Sequence, residues 1–226
     1  MRATTETPLK IKVCGMRESG NISAVAELQP DFLGFIFHPD SPRYAGLLLE
    51  PGLLRALPEG IRKIGVFVNA STALVLETLA QFGLYGAQLH GQETPAQCAA
   101  LRQAGVLVVK VFAVGEVIDW EAVRPYEGLC DYYLFDTLGR APGGNGTAFD
   151  WELLRGYPLA TPYLLAGGVG FDNVPDLAAL HLPGLVGVDL NSRFETAPGR
   201  KDPVKLALAF SMLRHHSSPG RVERSA

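Results

Sequence analysis

The sequence contains few cysteines, and their spacing argues against two common roles. Cys14, Cys98 and Cys130 are the only ones among 226 residues, and they lie far apart without a C-x-x-C pair. That pattern argues against a disulfide framework and against a cysteine zinc site, so we expect three free thiols. Cys98 and Cys130 are interpreted as small packing residues.

The chain also lacks a large net charge and a long apolar run. The 20 basic side chains stand against 23 acidic ones, so no nucleic-acid surface is predicted and the expected partner is a small molecule. No apolar run reaches the roughly 20 residues that span a bilayer, and the first residues, M-R-A-T-T-E-T-P, lack the apolar core of a signal peptide. We therefore expect a cytoplasmic protein without a membrane partner, either a monomer or a homodimer.

Short runs rich in β-branched and aromatic residues alternate with stretches of helical apolar spacing. The predicted strands are Ile11–Cys14, Phe32–Phe37, Lys63–Val68, Ala87–Leu89, Val106–Phe112, Tyr132–Phe135, Tyr163–Ala166 and Leu185–Asp189. The predicted helices are Ile22–Leu28, Thr72–Phe82, Pro95–Ala104, Val174–Leu180 and Pro203–Leu213, with a shortened helix between Leu47 and Leu57 and a weak one between Asp119 and Tyr126.

Eight alternating units in one chain predict an α/β fold, a single-domain (β/α)8 TIM barrel over residues 10–214. A doubly wound sheet is the alternative, but at this length it usually has fewer strands. Residues 1–9 and 215–226 are polar or rich in helix breakers, and they are predicted to be flexible termini.

Functional groups in such a barrel lie at the carboxyl ends of the strands and in the loops that follow. Cys14 ends the first strand in the run K-V-C-G-M-R, and its thiol could be a nucleophile, a base or a packing group. Lys12, on the same strand face, is expected to promote loss of the Cys14 proton. Asp136 ends the strand Y-Y-L-F-D and is either a reactive carboxyl group or a turn residue. The glycine-rich segment 138–148 is interpreted as a mobile cover.

Small residues follow the seventh and eighth predicted strands. Gly167 and Gly168 come after one strand, and Asn191 with Ser192 after the other. Barrels commonly bind phosphate at these two loops, where backbone N–H groups converge on an anion. An ordinary tight turn is the alternative interpretation of the two glycines.

Two further polar residues follow strands. Arg43, in the run S-P-R, could bind a carboxylate through its guanidinium fork, or it could be a solvated surface arginine. His90, at the end of Q-L-H-G, could be a ligand, a base or a packed imidazole. We favour an orienting role, because no second ligand lies at zinc spacing.

The motifs occur in an order that resembles a known family. They are K-V-C-G-M-R, G-F-I-F-x-x-x-S-P-R, Q-L-H-G-x-E, F-D-T, G-G-x-G-x-x-F-D-W, L-A-G-G and G-V-D followed by P-G-x-K-D. Each motif is modest, but between Lys10 and Lys205 they jointly resemble the phosphoribosylanthranilate isomerase family of tryptophan biosynthesis.

The resemblance implies an Amadori rearrangement of a small phosphoribosyl substrate without cofactor or metal. It further implies that Cys14 is the general base, that Asp136 is the general acid and that Arg43 binds the anthranilate carboxylate. His90 is taken as a pocket residue. The residues implied at the phosphate are Gly167, Gly168, Asp189 and Ser192.

The chain departs from the family pattern in two loops. The usual S-S-G reads Asn191, Ser192, Arg193, and the usual threonine of G-G-T-G is Asn145. Arg193 in place of glycine could strengthen the anion site or distort it. Two alternatives to this family are a related isomerase of another phosphoribosyl substrate, which typically carries aspartate where this chain has Cys14, and a non-catalytic barrel that binds phosphate ligands.

Overall fold

The structure is a computed structural model that describes residues 8–138 and 149–215. Eight parallel strands close into a barrel in sequence order, which confirms the predicted (β/α)8 barrel. They are β1 Lys10–Val13, β2 Phe32–Ile36, β3 Arg62–Phe67, β4 Gly86–Leu89, β5 Leu107–Val114, β6 Tyr132–Thr137, β7 Tyr163–Leu165 and β8 Leu185–Leu190.

Six helices lie between the strands and a seventh follows the last one, in the places that the apolar spacing predicts. They are α1 Ser19–Ala26, α2 Pro51–Ala56, α3 Thr72–Phe82, α4 Pro95–Gln103, α5 Trp120–Val123, α6 Val174–Ala179 and α7 Pro203–His215. Local chemistry fixes several ends: the Ser71 side chain accepts a hydrogen bond from the Leu74 amide at the start of α3, and Gly83 closes that helix in the left-handed conformation. Pro51 stands at the first turn of α2, which is short as predicted.

The outer layer is thin around β5 and β6. The weak helix predicted there is the four-residue α5 with a 3-10 turn, and the described chain before β7 holds only a 3-10 helix, Trp151–Gly156. Aromatic rings cover the sheet instead. Phe135 is fully buried, and its ring centroid lies 5.1 Å from that of Tyr163 and 5.9 Å from that of Trp120. Edge-to-face packing of this kind replaces the area that a longer helix would bury.

The barrel interior has an apolar side and a charged side. The apolar cluster comes from β5, β6 and the β7 end and consists of Val109, Val111, Leu134, Leu164 and Ala166. On the other side β1 pairs with β8 in a register that sets Lys12 opposite Asp189. Charged groups therefore enter the barrel where its first and last strands meet.

A small hairpin stands between β8 and α7. A 3-10 turn, Ser192–Phe194, leads into β9 Glu195–Ala197, which pairs antiparallel with β10 Arg200–Lys201. The Lys201 backbone and the Asn21 side chain exchange two hydrogen bonds of 2.8 Å, which tie this hairpin to α1.

Some expectations fall outside the described chain. Segment 139–148 with Asn145, and nearly all of the termini predicted to be flexible, are not among the described residues. Within the described residues, no helix has both the length and the apolarity to cross a membrane.

Replacing the aromatic ring at the centre of the thin layer tests its contribution to stability. Phe135→Ala is expected to lower the free energy of unfolding by about 3–5 kcal/mol, because a fully buried ring would leave a cavity. Val117→Ala is the control: Val117 is 76% exposed, and its loss should change stability by less than about 0.5 kcal/mol. Urea denaturation measures both variants. Equal midpoints for Phe135→Ala and the native chain would contradict this account.

Candidate active site

Cys14 leaves β1 beside a buried ion pair. Nζ of Lys12 lies 2.9 Å from Oδ2 of Asp189, and the two side chains are 0% and 7% exposed. Lys12 also makes a side-chain hydrogen bond with the Cys14 thiol. The other carboxylate oxygen of Asp189, Oδ1, is buried and has no hydrogen-bond partner among the described residues.

The protonation of Cys14 is set by two opposing effects. Burial raises the pKa of the Cys14 thiol, and the charge and hydrogen bond of Lys12 oppose that rise without cancelling it. Lys12 therefore acts in the predicted direction, but the net pKa of Cys14 still lies above that of an ordinary thiol. For Lys12, burial lowers the pKa, yet the charges of Asp189 and Cys14 outweigh it, so Lys12 keeps its proton.

The pair needs the space that Gly34 of β2 leaves inside the barrel. A Cβ atom on Gly34 would lie 2.8 Å from Sγ of Cys14 and 3.1 Å from Nζ of Lys12. Both distances are shorter than ordinary contacts, so any larger side chain must displace the thiol or the ammonium. Gly34 is thus part of the site although it carries no functional group.

Arg43 is buried against a carboxylate of the β9–β10 hairpin. Its Nε lies 2.9 Å and 3.1 Å from the two carboxylate oxygens of Glu195, and its Nη2 lies 2.6 Å from Oε2. With 9% of its surface exposed, Arg43 is not a solvated surface arginine. Lys201, from the same hairpin, places Nζ 2.7 Å from Oε1 of Glu195 and 2.7 Å from Oδ1 of Asn191. One carboxylate therefore holds two cations beside the β1 loop.

His90 faces Asp136 across the opposite part of the mouth. Its Nε2 lies 3.4 Å from Oδ2 of Asp136, and its Nδ1 lies 3.1 Å from Nε2 of Gln88. If the amide nitrogen of Gln88 donates to Nδ1, the proton of the neutral ring is on Nε2, toward Asp136. Asp136 and His90 are 29% and 37% exposed, so both remain accessible from the mouth. This geometry suits the orienting role considered for His90.

The two glycines after β7 both adopt left-handed backbone, with φ values of 73° for Gly167 and 74° for Gly168. A Cβ atom on Gly167 would overlap the Thr137 backbone and lie 2.8 Å from Oδ1 of Asp136. Glycine is thus required where β7 closes against the end of β6. This loop contacts the candidate acid as well as forming one side of the predicted anion site.

Arg193 joins the two predicted phosphate loops. Its Nη1 donates to the Gly168 carbonyl at 2.8 Å, and its Nη2 lies 3.0 Å from Oδ2 of Asp172. Arg193 has no positive φ, so its side chain places no left-handed strain on the backbone. Ser192 begins the 3-10 turn just after β8, in the segment that Arg193 ties to the β7 loop.

The predicted site residues fall into two groups at one end of the barrel. Cys14, Arg43 and Asp189 lie around the buried lysines, whereas Asp136 contacts His90 and lies beside Gly167, near β4, β6 and β7. The two groups are linked electrostatically, because the charge of Asp136 contributes to the raised pKa of the Asp189 carboxyl group. The Asp189 side chain binds Lys12 and is not among the contacts of the two glycines.

Sequence reasoning missed several buried charges. Glu93 accepts hydrogen bonds from the backbone of Asn69 and Gly91 and pairs with Lys110 at 3.0 Å, which fixes the loop that carries His90. Glu93 stands in Q-L-H-G-x-E and Lys201 in P-G-x-K-D, so the motifs contained a signal that was not assigned a role. Glu195 lies just before the second motif.

The remaining cysteines are buried free thiols, as expected. Although far apart in sequence, Cys98 and Cys130 are in side-chain hydrogen-bond contact with each other. Within residues 8–138 and 149–215, no cluster of three or more His, Cys, Asp or Glu side chains could hold a metal ion. The expectation that neither metal nor cofactor is needed stays a prediction.

A closed (β/α)8 barrel with a thiol, a carboxyl group and paired cations at its C-terminal mouth defines the class of barrel enzymes that act by acid–base chemistry on a small substrate. A family model described as N-(5'phosphoribosyl)anthranilate (PRA) isomerase matches residues 11–211. The N-(5'-phosphoribosyl)anthranilate isomerase of Phocaeicola vulgatus is 44% identical over 204 residues, covering 90% of this chain and 97% of the relative.

Solved structures agree with these sequence matches. Phosphoribosyl anthranilate isomerase from Thermotoga maritima has a TM-score of 0.79 and 28% identity, covering 92% of this chain and 99% of the other. A phosphoribosyl anthranilate isomerase in complex with reduced 1-(o-carboxyphenylamino)-1-deoxyribulose 5-phosphate has a TM-score of 0.77 and 27% identity at the same coverage. The chain belongs to the phosphoribosylanthranilate isomerase family and is an enzyme. These matches favour neither the isomerase of another phosphoribosyl substrate nor the non-catalytic barrel that binds phosphate ligands.

The space at Gly34 gives a direct test of the geometry around Cys14. Gly34→Ala is expected to lower kcat by roughly 10- to 100-fold, because the new methyl group must displace Sγ of Cys14 or Nζ of Lys12. Steady-state kinetics on the folded variant measure the effect. Gly52→Ala is the matched control: no atom lies within 4 Å of its added Cβ, and alanine in α2 should leave kcat unchanged. Native turnover in Gly34→Ala would refute this role of the glycine.

Proposed function

We propose that the chain converts N-(5-phosphoribosyl)anthranilate to 1-(2-carboxyphenylamino)-1-deoxyribulose 5-phosphate, with Cys14 as general base and Asp136 as general acid. The observation that carries this assignment is the opposition of two proton-handling groups at one mouth. Cys14 on β1 is backed by Lys12, and Asp136 on β6 is backed by His90. β1 and β6 are separated by β8 and β7 in the closed barrel, so their ends face each other.

The reaction needs one proton delivered and one removed. Asp136 donates a proton to the furanose ring oxygen, the C1–O bond breaks, and the nitrogen lone pair forms a protonated imine. The Cys14 thiolate then takes the proton from C2, whose electron pair moves to neutralise the imine and gives an enolamine. Return of a proton to C1 as the C2 hydroxyl loses its own yields the ketone. No group is transferred to the enzyme, so Cys14 acts as a base and not as a nucleophile.

The neighbouring residues supply contacts for the rest of the substrate. Glu195 occupies Nε and Nη2 of Arg43, and no described residue accepts a hydrogen bond from Nη1, which leaves that edge for the anthranilate carboxylate. Asp189 belongs to the proposed phosphate region through its place near the end of β8, while its side chain binds Lys12. The left-handed Gly167 and Gly168, together with the turn at Ser192, provide backbone N–H groups for the phosphate.

The cellular setting follows from the same assignment. The reaction belongs to tryptophan biosynthesis, and we propose that it takes place in the cytoplasm. A small phosphoribosyl molecule is the proposed partner. The absence of a nucleic-acid partner and the choice between monomer and homodimer stay predictions.

Removing the acid and the base separately tests the assignment. Purified protein is added to phosphoribosylanthranilate made in situ, and the loss of anthranilate-type fluorescence is followed. Cys14→Ala and Asp136→Asn are each expected to lower kcat by about 10²- to 10⁴-fold, the usual contribution of one general acid or base. Cys98→Ala removes a buried thiol of α4 that contacts Cys130 and none of the proposed site residues, so it is the matched control and should retain kcat. If Cys14→Ala or Asp136→Asn kept near-native turnover, that residue would lose its role. If the native chain did not accelerate the reaction, the proposed function itself would be wrong.

The pH profile tests the electrostatic part of the mechanism. Because burial raises the pKa of Cys14, the ultraviolet absorbance of its thiolate, taken as a difference from Cys14→Ala, should appear at higher pH than that of an ordinary thiol. Lys12→Met removes the cation that opposes burial, so the pKa of Cys14 rises further and this absorbance profile moves to higher pH.

A second lysine serves as the control for that shift. Lys63 is a half-buried β3 residue that donates to the Leu54 carbonyl at 3.1 Å, away from Cys14. Lys63→Met should leave the profile unchanged. A Lys12→Met profile that coincides with the native one would show that Lys12 does not set the charge state of the base.

A further inference from the structure

The β9–β10 hairpin carries a buried carboxylate that the proposed reaction does not use. Glu195 is 5% exposed at its side chain and receives three close contacts from the Arg43 guanidinium. Arg43 comes from the loop after β2, so this contact joins segments 152 residues apart in the chain. A charge at this depth requires partners, and here the partner is a group that we assign to substrate binding.

Glu195 is itself fixed by contacts other than Arg43. Its Oε1 accepts hydrogen bonds from Nζ of Lys201 at 2.7 Å and from the Gly199 amide at 3.1 Å. Lys201 is 1% exposed and is anchored again by Asn191. The carboxylate is therefore held by its own hairpin and by the end of β8, whereas the long Arg43 side chain depends on it for orientation.

The geometry determines which edge of Arg43 remains for a ligand. Glu195 binds Nε and Nη2, so the planar guanidinium can present only the Nη1 side to another carboxylate. A Cβ atom on Gly15 would lie 2.8 Å from Cδ of Arg43, so the stem of the side chain also passes close to the β1 loop. Fixing a flexible cation before binding removes much of the entropic cost of ordering it in the complex.

We propose that Glu195 is a positioning residue that orients Arg43 toward the aromatic carboxylate of the substrate and thereby sets the preference for an ortho-carboxylated amine. This role rests on the carboxylate-binding function proposed for Arg43. Glu195 touches no reacting atom; it acts through the guanidinium. Its removal should therefore weaken selection of the carboxylate and leave the proton transfers at the sugar intact.

Two substrates that differ only in the carboxylate provide the test. Ribose 5-phosphate is condensed with anthranilate or with aniline, and conversion of each product by the enzyme is followed by chromatography. The native enzyme should prefer the anthranilate compound in kcat/KM by about 10- to 100-fold, as expected for a buried charge-assisted contact. In Glu195→Gln this preference should fall by about tenfold, through a higher KM for the anthranilate compound, with kcat/KM for the aniline compound within about twofold of native.

The outcomes separate this role from the function on which it rests. If the native enzyme did not distinguish the two compounds, both the carboxylate-binding role of Arg43 and the role of Glu195 would be lost. If the native enzyme distinguished them and Glu195→Gln did so equally well, only the role of Glu195 would be overturned. An equal loss on both compounds would also overturn it, because Glu195 would then act on the chemistry or the fold instead of the carboxylate.

Two further variants control for stability. Glu195→Asp keeps the negative charge between Arg43 and Lys201 but is one methylene shorter, so it should fold and lose part of the preference; if Glu195→Gln does not fold, an unchanged preference in Glu195→Asp overturns the proposal. Glu152→Gln alters another Glu–Arg pair, with Arg155, whose side chains are 52% and 59% exposed. It should keep the native preference.

Discussion

The ion pair between Lys12 and Asp189 is the contact on which the arrangement of the mouth depends. It lies inside the barrel where β1 and β8 close the sheet, and the register of those strands sets the two residues opposite each other. An unpaired ammonium at that depth would cost several kcal/mol, so the closure of the barrel and the burial of Lys12 require each other. The same pair fixes the point at which Cys14 leaves β1, and it supplies the cation that partly offsets the burial of the thiol.

The loops around this pair are also held by buried cations that are each matched with a buried carboxylate. Arg43 and Lys201 share the carboxylate of Glu195, and Lys110 shares that of Glu93 with two backbone amides. Networks in which the buried charges are matched are rigid, because any displacement leaves a charge without its partner. Buried ion pairs thus fix the loops of the mouth. Apolar packing and aromatic rings stabilise the strands and the thin outer layer.

Much of the architecture could be predicted because it is encoded locally. Each of the eight strands lies within two residues of its predicted bounds, since β-branched runs bounded by glycine and polar residues are strong signals. Cys14, Asp136 and His90 were found because a barrel brings strand ends together. The partners of those residues were not predictable in the same way. Whether Lys12 meets Asp189 depends on the closing register, and the contact of Glu195 with Arg43 depends on a hairpin whose folding back no local pattern specifies. Gly34 contributes only the space left by its missing side chain, and no functional group in the sequence indicates that space.

The sequence distances within these ion pairs bear on when the enzyme can begin to work. Lys12 and Asp189 are 177 residues apart, and Arg43 and Glu195 are 152 apart. A chain emerging from the ribosome at about 5–20 residues per second therefore carries Lys12 and Arg43 for many seconds before their counter-charges exist. During that time burial of the Lys12 ammonium would cost free energy, because Asp189 has not yet been synthesised. The first strand therefore gains no electrostatic stabilisation from its native position. Competence should arrive abruptly, when the last strand and its hairpin leave the exit tunnel, and a chain interrupted before that point would have no assembled site with which to act on substrate.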